Sequence, residues 1–123
     1  MWIKFNNNPA GRNVGDCSVR ATSVALDTDW ETAYRLLADA GFNMCDMPSS
    51  NGVWGAILRQ NGFYRETIPT SCPECYSADD FVNDNPSGIY VLGFGNHVAT
   101  AIDGIIYDSF DSSGEIPQYF WHK

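Results

Sequence analysis

Three side chains, far apart in the chain but in an order that suits nucleophilic catalysis, stand out: Cys17, His97 and Asp108. Cys17 opens a run of small and apolar residues, Cys17-Ser-Val-Arg-Ala-Thr-Ser-Val-Ala-Leu26, which predicts a buried helix capped by Asp16. A thiol in the first turn of a helix sits among unpaired N–H groups at the positive end of the dipole, and both favour the thiolate. The same N–H groups suit an oxyanion, so Cys17 is a candidate nucleophile whose own N–H helps hold the developing charge. The competing reading is a small side chain packed in the core.

A nucleophile of this kind needs a base, and the chain has 2 histidines, His97 and His122. Asp103-Gly104, between the strand-like runs His97 to Ile102 and Ile105 to Tyr107, predicts a two-residue hairpin turn. Such a turn pairs Ile102 with Ile105 and sets Ala99 opposite Asp108. Side chains alternate along a strand, so His97, Ala99 and Asp108 share a face, with His97 and Asp108 diagonal neighbours about 7–8 Å apart at the backbone. Asp111 falls on the other face in this register. A carboxylate beside His97 fixes its tautomer and stabilises the imidazolium formed when it takes the Cys17 proton.

Gly15-Asp16-Cys17 opening a helix, Gly95-Asn96-His97-Val98 on a strand and Asp108-Ser109-Phe110 past a hairpin together resemble the papain-like cysteine peptidases, in the same chain order of Cys, His and Asp or Asn. The likeness is closest to small bacterial and phage-encoded members, which carry Gly-Asp-Cys-x-x-Arg-Ala, and a His-Val strand followed by Asp-Gly and Tyr-Asp-Ser. It covers Asn13 to Leu26 and Gly95 to Ser112 and leaves the middle of the chain aside. The resemblance implies a minimal papain-like fold and amide hydrolysis through a thioester. Larger relatives have a Gln six residues before the cysteine as an oxyanion donor, where this chain has Gly11. Asn13, with its amide N–H groups, is the candidate replacement, a loop-turn asparagine being the alternative. Asp108 stands where many relatives have Asn, and either can accept from the ring N–H.

These residues must be positioned by a single domain over 1–123, since no repeat, low-complexity tract or long linker divides the chain. Asn6 to Gly15 reads as loop. After the Cys17 helix, Asp27 to Asp29 offer a cap, and Trp30, Ala33, Tyr34, Leu37 and Ala40 recur at helical spacing until Gly41 stops the helix. A third helix runs from Asn51-Gly52 to Asn61-Gly62, and Ser77 with Asp80 suggests a short capped one through Val82. Strands follow: Ile89 to Phe94, His97 to Ile102, Ile105 to Tyr107, and Tyr119 to Trp121. The expected class is α+β, with N-terminal helices packed on a mainly antiparallel sheet.

Composition narrows the partners. With 44% hydrophobic and 14% aromatic residues the chain is a folded globular protein, not a disordered one. Its 7 Lys+Arg against 15 Asp+Glu give a net charge of −8, which disfavours nucleic acid and anionic membrane surfaces. No run approaches the roughly 20 apolar residues of a membrane span, and no signal peptide is legible, so a cytoplasmic location is expected. Structural disulfides among Cys17, Cys45, Cys72 and Cys75 are then not expected. Cys72-Pro-Glu-Cys75 is half of a zinc knuckle, which Cys45 and His122 could complete, but two incidental thiols in a turn is the favoured reading, with no metal or cofactor. Arg20 reads first as the partner of a nearby acid, and Trp54 as core or as the wall of a peptide cleft with Asn51 and Gly52 offering backbone groups. The acidic runs Asp79-Asp80 and Asp108 to Glu115 read as solvated surface that steers in a cationic or neutral peptide.

The expectation is therefore a thiol hydrolase acting on a peptide or isopeptide bond, with Cys17 as nucleophile, His97 as base, Asp108 as orienter and Asn13 as oxyanion donor. The same triad would serve acyl transfer of the transglutaminase or acetyltransferase kind. A catalytically silent papain-like binding module is the alternative from a different class.

Overall fold

Small side chains decide where the first helix sits. In the computed structural model, which describes residues 1–68 and 76–123, helix α1 (Cys17–Ala25) buries Ser18, Val19, Arg20, Ala21, Thr22, Ser23 and Ala25, nearly its whole circumference. Helix α2 (Trp30–Met44) starts where Asp29 accepts the Thr32 N–H at 2.7 Å, as its cap predicts. It does not stop at Gly41. The helix runs on to Met44 and ends at Cys45, which adopts a left-handed conformation with φ 54°. Gly41 serves packing instead: a Cβ there would stand 2.8 Å from the Asp46 carbonyl oxygen, where the chain doubles back over the helix.

Helix α3 (Asn51–Gln60) buries Val53, Trp54, Ile57 and Leu58 against α1 and α2. Helix α4 (Ala78–Asp84) carries the full reciprocal cap of Ser77 and Asp80. Six strands complete the described residues: β1 (Trp2–Lys4), β2 (Tyr64–Thr67), β3 (Ile89–Gly93), β4 (Val98–Ile102), β5 (Ile105–Asp108) and β6 (Tyr119–His122). They form one sheet in the order β1-β5-β4-β3-β6-β2, with β1 parallel to β5 and every other pair antiparallel. The class is α+β with a mixed, mainly antiparallel sheet.

The hairpin forms in the predicted register, Ile102 opposite Ile105 and Thr100 opposite Tyr107. Asp103 and Gly104 both take positive φ, 51° and 82°, as a primed two-residue turn demands. Strands β1 and β2 have no counterpart in the sequence pattern. β1 is three residues long and pairs with a strand about a hundred residues on, and all four residues of β2 are exposed, so neither shows a half-buried alternation.

The sheet separates two cores. Val91, Val98, Tyr119 and Trp121 pack against α1, α2 and α3; Leu92, Phe94, Ala99, Ala101 and Ile106 pack with Ala78, Phe81 and Val82 of α4. At Gly93 the sheet has no side chain because the Tyr119 ring lies across it, within 2.1 Å of where a Cβ would be. No helix among the described residues is long and apolar enough to cross a membrane. Cys72 and Cys75 lie outside the described residues.

Candidate active site

One hydrogen bond sets the candidate nucleophile against the candidate base. Thr100 Oγ1 donates to the Ala21 carbonyl at 2.7 Å and pins α1 to β4. From Ala21 back to Cys17 is four helical residues, about 6 Å, and from Thr100 back to Val98 is two strand residues, about 6.6 Å. Cys17 is thereby delivered to the start of β4, beside the His97 ring and the Val98 N–H.

His97 lies one residue before β4 and reaches across the hairpin to Asp108, its Nε2 2.6 Å from Oδ2. With Nε2 so engaged, Nδ1 is the nitrogen left for Cys17. Phe94 and Phe110 flank the imidazole, with ring centroids 5.9 and 4.8 Å away. Asp108 has no exposed surface and is fully satisfied. Oδ2 also accepts from Ser112 Oγ at 2.7 Å, while Oδ1 accepts from the Ser109 N–H at 2.8 Å and from Arg20 Nη2 at 3.3 Å. Asp111 is exposed and turns to the Ser113 N–H, away from this cluster.

Arg20 fills the structural role expected of it, and more widely. Its Nη1 donates to Asp16 Oδ1 at 2.9 Å, and Trp30 Nε1 donates to Asp16 Oδ2 at 3.0 Å. Asp16 therefore does not cap α1 with its side chain. A buried carboxylate gains more from a guanidinium than from a backbone N–H. The consequence is useful, because the first-turn N–H groups of α1, that of Cys17 included, remain uncapped by any side chain.

Charge in this chain of contacts favours the ion pair. Burial pushes the Cys17 thiol up, but the His97 hydrogen bond, the Val98 N–H and the positive charges of His97 and Arg20 outweigh it and hold the thiol below its ordinary range. Burial would lower His97; the Asp108 carboxylate and the Cys17 sulfur reverse that and push it up to about 9 from an ordinary 6.5. Burial would raise Asp108, yet His97, Ser112 and the Ser109 N–H hold it below the usual carboxylate range. Both shifts favour a thiolate beside an imidazolium over the neutral pair.

Cys17 and His97 line a cleft of about 160 Å³ together with Ser49, Asn51, Trp54 and Asn96. Asn13 is not among the lining residues; it is exposed on the preceding loop. The asparagines that line the cleft are Asn51 and Asn96. Trp54 Nε1 can only donate, and it donates to Asn51 Oδ1 at 3.1 Å, so the Asn51 N–H₂ is left for another acceptor. The sequence pattern gives a role to the backbone of Asn51 and none to its side chain. The signal was the spacing: Asn51 and Trp54 are i and i+3 on a helix, which brings their side chains together. Trp54, 2% exposed, is both core and cleft wall.

The remaining candidates are spent elsewhere. Cys45 is exposed at the end of α2, and His122 shares a hydrogen bond with Glu66; among the described residues no three metal-ligating side chains cluster. Asp79 pairs with the Met1 ammonium and Asp80 closes the α4 cap, so these acids lie away from the cleft. No family model, no curated protein and no solved structure matches the chain.

Proposed function

We propose that the protein is a cysteine hydrolase of minimal papain-like design, cleaving a peptide or isopeptide bond through Cys17, His97 and Asp108. The observation that carries this reading is the convergence on one cleft of a depressed thiol, a base raised by a buried carboxylate and an uncapped helix N-terminus.

The thiolate attacks the carbonyl carbon of the bond. The negative charge that develops on oxygen is met by the Cys17 N–H and by an N–H of Asn51. As the tetrahedral centre collapses, His97 passes its Nδ1 proton to the departing amine and a thioester remains. Neutral His97, held in one tautomer by Asp108, then takes a proton from water, whose oxygen attacks the thioester and frees Cys17 and the carboxylic acid. An amine in place of water would give acyl transfer by the same steps, and analysis of products with added amine separates the two. Such thiol chemistry suits a reducing compartment such as the cytoplasm.

Alkylation by iodoacetamide tests the reading directly. Cys17 reacts as a thiolate at pH values where an ordinary thiol is still protonated, His97→Gln returns its pH profile to that of an ordinary thiol, and a peptide-like electrophile labels Cys17 alone. Equal labelling of Cys45, or an ordinary pH profile at Cys17, would instead leave a silent binding module.

A further inference from the structure

Next to the cleft lies a groove of about 260 Å³ lined along α3 by Asn51, Gly52, Trp54, Gly55 and Arg59 and on its other side by Arg65, Tyr119 and Trp121. Asn51 and Trp54 line both the cleft and the groove, so the two are neighbours on the surface. Glycine builds the floor. A Cβ at Gly55 would stand 2.9 Å from the Trp121 ring, and the Tyr119 ring lies over Gly93, so both aromatic rings lie where side chains would otherwise be.

The charges in this groove are two cations. Arg59 stacks 5.2 Å from the centroid of the Trp121 ring and Arg65 stacks 4.1 Å from that of Tyr119. Stacking engages the face of a guanidinium and holds it still, leaving the in-plane N–H donors for a carboxylate. Among the described residues neither forms an ion pair, in a protein with more than twice as many acids as bases. Two of its 7 cations thus stand stacked and unpaired beside one groove.

We infer that the Arg59–Arg65 groove is a subsite for a carboxylate on the substrate peptide, either an acidic side chain or a free terminus. The inference rests on the hydrolase reading of Cys17, which it deepens by naming the substrate class: acidic near the scissile bond, opposite in sign to what the net charge suggests. From Gly52 to Arg59 the helix rises about 10 Å, the length of roughly three extended residues.

The test uses the Cys17→Ala variant and eight-residue peptides of Gly and Ala carrying three consecutive Glu, Gln or Lys residues, with both ends blocked. Binding is read from the fluorescence of the tryptophans, since Trp54 and Trp121 line the groove, at physiological salt so that the distant acids are screened. The Glu peptide binds about tenfold or more tighter than the Gln peptide, and the Lys peptide is weakest. An all-Ala peptide with a free carboxyl end reports whether a terminus suffices. Arg59→Gln with Arg65→Gln abolishes the Glu preference; Lys4→Gln with Arg35→Gln, which removes the same charge elsewhere, preserves it. The double Arg→Lys variant, which keeps charge but loses the planar fork, falls between and guards against a folding artefact. Equal binding of Glu and Gln peptides, absence of binding by all of them, or an unchanged preference in the Arg59/Arg65 double variant overturns the subsite. Ordinary thiol reactivity of Cys17 towards iodoacetamide overturns the hydrolase reading separately.

Discussion

Arg20 Nη2 lies 3.3 Å from Asp108 Oδ1 across 88 residues of chain, joining the helix that bears Cys17 to the strand that bears the carboxylate. With Asp16 on its other side, Arg20 is a buried cation between two buried anions. Arg20→Met should therefore cost about 3–5 kcal/mol, because it strands both charges. Urea denaturation measures this. Arg20→Lys should recover only part, since one ammonium lacks the two-armed reach. A loss below about 1 kcal/mol would make the bridge energetically passive.

The ion pair makes an unusual statement about pH. Folding lowers the Cys17 thiol and raises His97, so it releases a proton at one group and takes one up at the other. The two contributions have opposite sign and oppose one another in the pH dependence of stability above about 6.5. Cys17→Ala removes the compensation. His97, still raised by Asp108, then contributes stability that is complete below 6.5 and lost as pH rises through its folded value. The limiting slope is about 1.4 kcal/mol per pH unit. Asp108 acts at the acid end: its folded value is depressed, so its contribution is present above 3.8 and lost as pH falls through that lower value. Urea midpoints across pH for both proteins check this, and a wild-type slope as steep as that of Cys17→Ala would refute it.

Asn51→Ala should reduce turnover of a cleavable peptide by about 10²-fold, the usual cost of one oxyanion donor. It should leave iodoacetamide alkylation of Cys17 unchanged, because alkylation develops no oxyanion. Asn13→Ala should alter neither rate. Reversal of the two variants would return the role to the loop before α1.

Gly93→Ala should destabilise the fold by about 2 kcal/mol or more, since the new methyl would overlap the Tyr119 ring. Combining it with Tyr119→Leu, which clears the ring, should restore part of the loss in thermal unfolding. Failure of the pair to show such coupling would mean that the ring moves aside freely.

What could be read from the residues follows the range of the forces involved. Asp103-Gly104 specifies its turn locally, and from that turn the strand alternation carries His97 to Asp108 without further information. Asp29 and the Ser77–Asp80 pair cap the helices assigned to them for the same reason. Asp16 looks identical to Asp29 as a cap, yet tertiary burial beside Arg20 and Trp30 redirects its carboxylate. Gly41 resembles a helix stop, but the conformation that ends α2 belongs to Cys45, a residue with no such signature. Asn13 is near Cys17 in the chain and exposed in space, whereas Asn51 is distant in the chain and lines the cleft. Strands β1 and β2 exist only because distant partners hydrogen-bond to them.

The hairpin at Asp103-Gly104 also has a consequence in time. Base and carboxylate arrive on one short segment and meet by local pairing, while the thiol they activate was synthesised about 80 residues earlier. At ordinary elongation rates that gap lasts roughly 4–16 s. Throughout it His97, the imidazole that stands beside Cys17 in the fold, has not yet been made. Under the proposed reading the thiol is activated only as β4 and β5 close beneath it.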